Sequence, residues 1–323
     1  MRLILLGQCF ALVGIVAGFF LVGARSWLAA LVQSVAALLL LAAAARVGLW
    51  LFPPWWAPWA FALAGASVLA WRLARRAPLT RLPSGRAGWS GVALAALAGT
   101  GACVVLVRAA QSGDFPPGES VDLAVPFAAG RYLVVNGGAW EVTNAHRESA
   151  RSSDPRFLPW RGNGWAVDLV EVDALGRRSS GFLPVDPGAY RIYGRELVAP
   201  CAGTILIARD GMPDMPVPEY DRANLAGNHV VMGCGDVHVV LAHLRTGSVR
   251  VREGDTVAVG QPLAQVGNSG GTGEPHLHLH VQHPGPPGQP LGGVPVPMRI
   301  GGRFLVRGDR FVGSLSGARA PGR

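Results

Sequence analysis

The sequence predicts an N-terminal α-helical membrane anchor of about four transmembrane helices, followed by a mainly antiparallel β domain. Three observations carry this expectation. Half of the 323 residues are hydrophobic and only 15% are charged, too apolar for an ordinary soluble chain. Residues 1–107 contain arginines but no Asp, Glu or His, whereas all eight histidines lie from His146 onward. From Asp114 onward the text turns rich in Gly, Pro and Val, with short β-type runs between turn residues. The expected division is an anchor over 1–110 and a β domain over 111–323, with a core of about 120–310.

Within the anchor, four apolar stretches stand out: Leu3–Gly23, Trp27–Ala45, Trp55–Trp71 and Trp89–Val107. Each comes close to the roughly 20 residues that cross a bilayer, the third being the shortest. Tryptophans and Pro53–Pro54 sit near the second junction, as at a lipid–water interface. The loop after the third stretch holds Arg72, Arg75, Arg76, Arg81 and Arg86, which by the positive-inside rule places it in the cytoplasm, with Arg25 on the same side. Arg2 and Arg46 fall on the other side. The fourth helix then carries the β domain out of the cytoplasm, giving a multi-pass protein of the cell membrane in contact with membrane lipid. The stretches hold no acidic residue or His to suggest transport.

The formal charge of +9 arises from arginine alone, since the chain has no lysine. With Ala, Gly and Arg all abundant, this matches the codon bias of a GC-rich genome, and no nucleic-acid partner is expected. Of the four cysteines, Cys9 and Cys103 lie in apolar stretches. Cys201 and Cys234 lie in the polar part, follow no zinc-finger spacing, and suit a disulfide if that part is extracytoplasmic.

In the β domain, strands are expected over Tyr132–Val135, Trp165–Val172, Thr204–Ala208, His229–Met232, His238–His243, Val249–Arg252 and His276–Val281, with a last pair within Arg299–Val306. Gly162–Gly164 and Gly267–Gly273 read as tight loops, and 284–293 as an exposed Pro- and Gly-rich loop. No long helical period is visible.

The chemistry concentrates in Pro275-His276-Leu277-His278-Leu279-His280. Residues two apart share a face of a strand, so three imidazoles point one way while leucines point to the core. Imidazole nitrogen is a preferred zinc ligand, and a catalytic zinc site leaves one position open for water. Asp168 sits among apolar neighbours in Trp165-Ala166-Val167-Asp168-Leu169, and a buried acid is normally paired or metal-bound. His146 follows Thr143-Asn144-Ala145, and His243 ends the run Leu241-Ala242-His243-Leu244. His229, His238 and His283 lack comparable context and are read as structural.

An ordered string then emerges: Gly227-Asn228-His229-Val230-Val231, Ala242-His243-Leu244, Val251-Arg252-Glu253-Gly254-Asp255-Thr256-Val257 with Gly260-Gln261-Pro262-Leu263, Val266-Gly267-Asn268-Ser269-Gly270, and Pro275-His276-Leu277-His278. It resembles the lysostaphin/LytM-type zinc metallopeptidases, closely over Val198–Gln282 and loosely over 120–310. The resemblance implies a β-sheet groove, one zinc ion per chain, and hydrolysis of peptide bonds in a peptidoglycan or peptide substrate. It implies His278 as a zinc ligand, His276 and His243 as catalytic histidines, and Asp168 as the zinc-binding acid. The family's first ligand lies four residues before that acid, where this chain has Gly164. His146 is the substitute, with Arg147–Gly164 as an insertion that loops out and returns. His280 stands where the family usually has Glu, and its role is open. The competing reading is a catalytically inactive LytM-like module that binds or regulates other wall hydrolases, which Gly164 favours. A lipoyl- or biotinyl-type carrier is excluded, because such modules modify a lysine.

Overall fold

The computed structural model describes residues 25–48, 56–75 and 79–313, together with Gly7, residues 10–15, Ala17 and Gly18. The chain divides into two compact units, Met1–Ala110 and Gln111–Arg323.

The first unit contains helices α1 (Trp27–Val47), α2 (Ala57–Arg75) and α3 (Gly85–Gln111). Ser26 caps α1, its side chain accepting from the Ala29 amide. By length and composition α1 and α3 can cross a membrane, whereas the apolar run of α2 is the shorter Ala57–Val68. The expectation of about four transmembrane helices is therefore met by two among the described residues. The stretch Leu3–Gly23 lies mostly outside them. Gly99 of α3 lets the helix approach α1 closely, since a Cβ there would stand 3.2 Å from the Ala36 backbone. The outward faces carry Leu31, Val35 and Leu38 on α1, and Leu94, Leu97 and Val104 on α3.

The second unit is built on strands β1 (Val121–Leu123), β2 (Arg131–Asn136), β3 (Val167–Glu171), β4 (Glu196–Val198), β5 (Gly203–Arg209), β6 (Asn228–Cys234) and β7 (Val237–Leu244). There follow β8 (Thr256–Val257), β9 (Pro262–Gln265), β10 (Leu277–Gln282), β11 (Pro295–Val296), β12 (Met298–Ile300) and β13 (Arg310–Val312). The main sheet runs β13-β2-β3-β10-β7-β6-β5-β8, with β11 also paired to β10. Its pairings are antiparallel; β1 and β12 form a separate parallel pair.

Alternation decides the faces. Leu277, Leu279 and Val281 of β10 enter the main core with Val239 and Leu241 of β7, Val230 and Met232 of β6, and Val167 and Leu169 of β3. Each such buried aliphatic side chain contributes on the order of 1.5–3 kcal/mol. The other face of β10 is left with His278, His280 and Gln282, and the other face of β3 with Asp168. Over β7 that face carries Val240 and Ala242, which pack with Ala226, Val231 and Leu291 in a smaller cluster.

Three sequence expectations are corrected. Val249–Arg252 forms no strand. Within Arg299–Val306 the chain makes one short strand, β12, and a turn; the closing strand is β13, further on. Gly162–Gly164 is not a loop but the end of an eleven-residue 3-10 helix, Pro155–Trp165, preceded by the short helix α4, His146–Arg151. A segment rich in Gly, Pro and Trp gave no helical periodicity because its turns follow the three-residue repeat. Cys201 and Cys234 are joined in a disulfide, with Cα atoms 6.2 Å apart.

Candidate metal centre

Register puts the site in one row. Asp168 of β3 pairs with Asn136 of β2 on one side and His278 of β10 on the other, and His278 in turn pairs with Ala242 of β7. Asn136 donates from Nδ2 to Asp168 Oδ2 at 2.8 Å, and its own Oδ1 accepts from Arg307 at 2.7 Å, which fixes the amide orientation. His278 Nδ1 lies 3.0 Å from Asp168 Oδ1, and His146 Nε2 lies 3.0 Å from Oδ2. One ligand atom from each of His146, Asp168 and His278 falls within 4.8 Å of the others. Two imidazoles and a carboxylate so gathered fit the three-ligand zinc set of a hydrolytic centre.

His146 reaches this point because it opens α4. Asn144, two residues earlier and fully buried, holds the Gly138 and Ala166 carbonyls with Nδ2 and accepts from the His146 amide. The start of the helix is thereby tied to the start of β3. The same helix explains Gly164: a Cβ there would lie 2.6 Å from Cβ of Ala150, on α4. A histidine at position 164 has no room, and the donor comes instead from the helix that fills the space.

His243 arrives by a different device. By period two it belongs with Val239 and Leu241 in the core. Asn228 faces Leu244 and Val230 faces Leu241, so β7 spends three residues where β6 spends two. The extra residue is a β-bulge, with His243 at φ +63°. This left-handed conformation is uncommon outside glycine but tolerated by His. It returns Leu244 to the core and turns His243 to the site. The His243 ring stands 4.8 Å from that of His276 and 5.7 Å from that of His278.

Backbone carbonyls set the histidine tautomers. His243 Nδ1 donates to the Ser269 carbonyl at 3.0 Å, and His276 Nδ1 to the Glu274 carbonyl at 2.9 Å. In the neutral rings Nε2 then keeps its lone pair. For His278 the proton is fixed from further away. The Pro290 carbonyl can only accept, so Gln282 donates to it from Nε2 at 2.7 Å and accepts with Oε1 from His280 Nε2 at 3.3 Å. His280 Nδ1 must therefore accept from His278 Nε2, at 2.9 Å, which leaves the lone pair of His278 on Nδ1, facing Asp168.

Electrostatics agree with a cation-binding role. Burial pushes the Asp168 carboxyl up, but the charges of His146 and His276 and its close side-chain contacts with His146 and His278 outweigh it, holding the group well below the usual carboxylate range. Burial, then the neighbouring imidazoles, keep His243 and His280 well below the usual histidine range. Burial also lowers His278, against the close contact with the Asp168 carboxylate and its charge, which raise it.

All five residues expected from the sequence, His146, Asp168, His243, His276 and His278, meet here, with His276 Nε2 3.6 Å from Asp168 Oδ1. Sequence reasoning missed Asn136, whose Asn-Gly context reads as a turn. It also missed Gln282 and the buried pair of Arg178 with Glu274 at 2.9 Å, just before His276. His229, His238 and His283 stand apart: His229 holds the Gly227 carbonyl and His283 pairs with Glu119.

The description "Peptidase family M23" matches residues 190–290. No curated protein matches the chain. Among solved structures, the catalytic domain of the antimicrobial peptidase lysostaphin from Staphylococcus simulans is 21% identical over 38% of this chain and 70% of its own, with a TM-score of 0.25. A zinc containing peptidase from Vibrio cholerae is 19% identical over 36% of this chain and 46% of its own, with a TM-score of 0.23. The SpoIIQ–SpoIIIAH pore forming complex is 20% identical over 40% of this chain and 65% of its own, with a TM-score of 0.24. This chain thus spans less than two thirds of the second and third. The resemblance carried by the sequence motifs and the family match agree: the segment that matches peptidase family M23, residues 190–290, holds His243, His276 and His278.

Proposed function

We propose that the chain is a membrane-anchored zinc metalloendopeptidase that hydrolyses peptide bonds, with cell-wall peptidoglycan cross-links as its substrate. The observation that carries this is the convergence of His146, Asp168 and His278 on one point, beside two further histidines whose Nδ1 atoms are held by backbone carbonyls. His146, Asp168 and His278 would hold one zinc ion. Bound there, zinc would acidify a coordinated water and polarise the scissile carbonyl. The remaining steps belong to the protein. His243 and His276, each fixed by a backbone carbonyl, present the Nε2 lone pair to the reacting atoms; either can take a proton from the attacking water, and the imidazolium so formed then has an Nε2–H to donate to the oxyanion and to pass on to the leaving amine. Asn136 holds the Asp168 carboxylate in place.

Membrane anchoring is supported by α1 and α3. In the proposed topology the arginine-rich loop faces the cytoplasm, the anchor is multi-pass and contacts lipid, and the second unit lies outside. The Cys201–Cys234 disulfide suits such a compartment. Elemental analysis of the purified chain, with a zymogram on cell walls, tests the reading: zinc near one per chain and wall clearing that is lost in Asp168→Asn are expected. Zinc without clearing would favour the inactive regulatory module.

A further inference from the structure

A cavity of about 240 Å³ opens beside the histidine cluster, lined on one side by His146, His243 and His278. Its floor is the site face of the sheet, Val240 and Ala242, with Ala226 beside them. Its far wall is Phe157 and Trp160, from the 3-10 helix inside the stretch that separates His146 from Asp168. The polar residues on that wall, Ser149 and Asn163, are hydrogen-bonded to each other at 2.6 Å.

We propose that this cavity is the subsite for an apolar side chain flanking the scissile bond, so that the chain selects peptides bearing an alanine- to leucine-sized residue there over all-glycine peptides. This rests on the endopeptidase reading above. Three features lead to it. The cavity and the histidine cluster are continuous, and successive Cα atoms stand 3.80 Å apart; a peptide whose carbonyl reaches the cluster therefore places a neighbouring Cβ at the cavity mouth. Away from the histidines the lining is mainly aromatic and aliphatic, with Ser149 and Asn163 bonded to each other, and an apolar side chain fits this part better than a polar one that would give up its water. The volume equals several water molecules at about 30 Å³ each, which glycine would leave unfilled and a branched aliphatic side chain would displace.

The test uses the zinc-loaded full chain in detergent and two sets of synthetic peptides, each with Gly, Ala or Leu flanking one bond. One set is uncleavable, with that bond replaced by a methyleneamine, and its affinities are read by calorimetry. The other set is cleavable. The Leu and Ala peptides are expected to bind at least about tenfold more tightly than the glycine peptide and to be cut with a correspondingly higher kcat/KM. Trp160→Ala, which opens the wall, should shrink both ratios to within about threefold, and Phe157→Ala, a second opening of the same wall, should act in the same direction. Equal affinities across the series, or ratios unmoved in both variants, overturn the proposal even if every peptide is cut. A retained affinity ratio with no peptide cut supports the subsite and instead removes the endopeptidase reading.

Discussion

His278 and His280 meet ring to ring, Nε2 to Nδ1 at 2.9 Å, and the proton between them belongs to His278. The assignment is imposed from Pro290, through Gln282 and His280. Outer partners that orient a ligating imidazole typically change metal affinity about 10–100-fold when removed. His280→Phe is accordingly expected to weaken zinc binding by about 10–100-fold in chelator competition. His280→Gln, whose amide oxygen can accept the same proton, should stay close to the parent. In the metal-free chain, nitrogen chemical shifts should place the His278 proton on Nε2; a proton on Nδ1 would contradict the chain of donors.

The ligand set makes a second prediction, about Gly164. His146→Ala should lose zinc by more than the roughly 100-fold upper range of outer partners. Restoring a histidine at the family's usual position, as His146→Ala with Gly164→His, should not recover it, because Ala150 already stands where the new Cβ would go. Zinc stoichiometry of the two variants decides the matter. Recovery in the double variant would mean that α4 yields readily and does not dictate the ligand.

The buried imidazoles make the metal-free protein sensitive to acid. His243, His278 and His280 all have folded-state pKa values below the usual 6.5, with burial the largest cause in each. For a depressed pKa the stabilisation is complete above the unfolded value and is lost as pH falls towards the folded one. Stability should therefore decline from about pH 6.5 downward, by about 1.4 kcal/mol per pH unit for each group that stays neutral in the fold. Thermal melts of the zinc-free chain against pH check this, and His280→Gln should flatten the decline. A melting temperature that rises on acidification through this window would refute it.

The Cys201–Cys234 bridge closes a loop with a sequence separation of 33. Chain-entropy reasoning gives such a loop about 3–4 kcal/mol of stabilisation. Cys201→Ser with Cys234→Ser should lower the melting temperature of the second unit and make it indifferent to reductant, while the parent responds to it. A parent melt unaffected by reductant would show that the bridge contributes nothing.

Much of this site was legible in the sequence because strands announce their faces. Alternating leucines and histidines from His276 to His280 fixed which side was chemical, and Asp168 among aliphatic residues stood out as an acid needing a partner. What was not legible depended on departures from period two or on contacts across the chain. His243 lies on the face its parity forbids, and only the motif around it pointed to the site. Asn136 and Gln282 are amides of ordinary appearance, defined by what lies opposite them. The 3-10 helix that walls the cavity has no apolar repeat to read. In the first unit, apolar composition marked the helices, but not which of them are long enough to cross a bilayer.

The bulge in β7 has a consequence for how such a protein can change. A strand tolerates many substitutions, because each alters one position and leaves the reading frame of its faces intact. Loss of a single residue between Leu241 and Leu244 would remove the bulge and restore plain alternation, with Leu241 and Leu244 both still in the core. If the residue lost is His243, Ala242 alone is left on the site face there; if it is Ala242, His243 moves one step back along the strand into the place of Ala242, away from the position the bulge gives it. A single deletion here would therefore remove or displace this histidine in one step while keeping the sheet, the core and the disulfide.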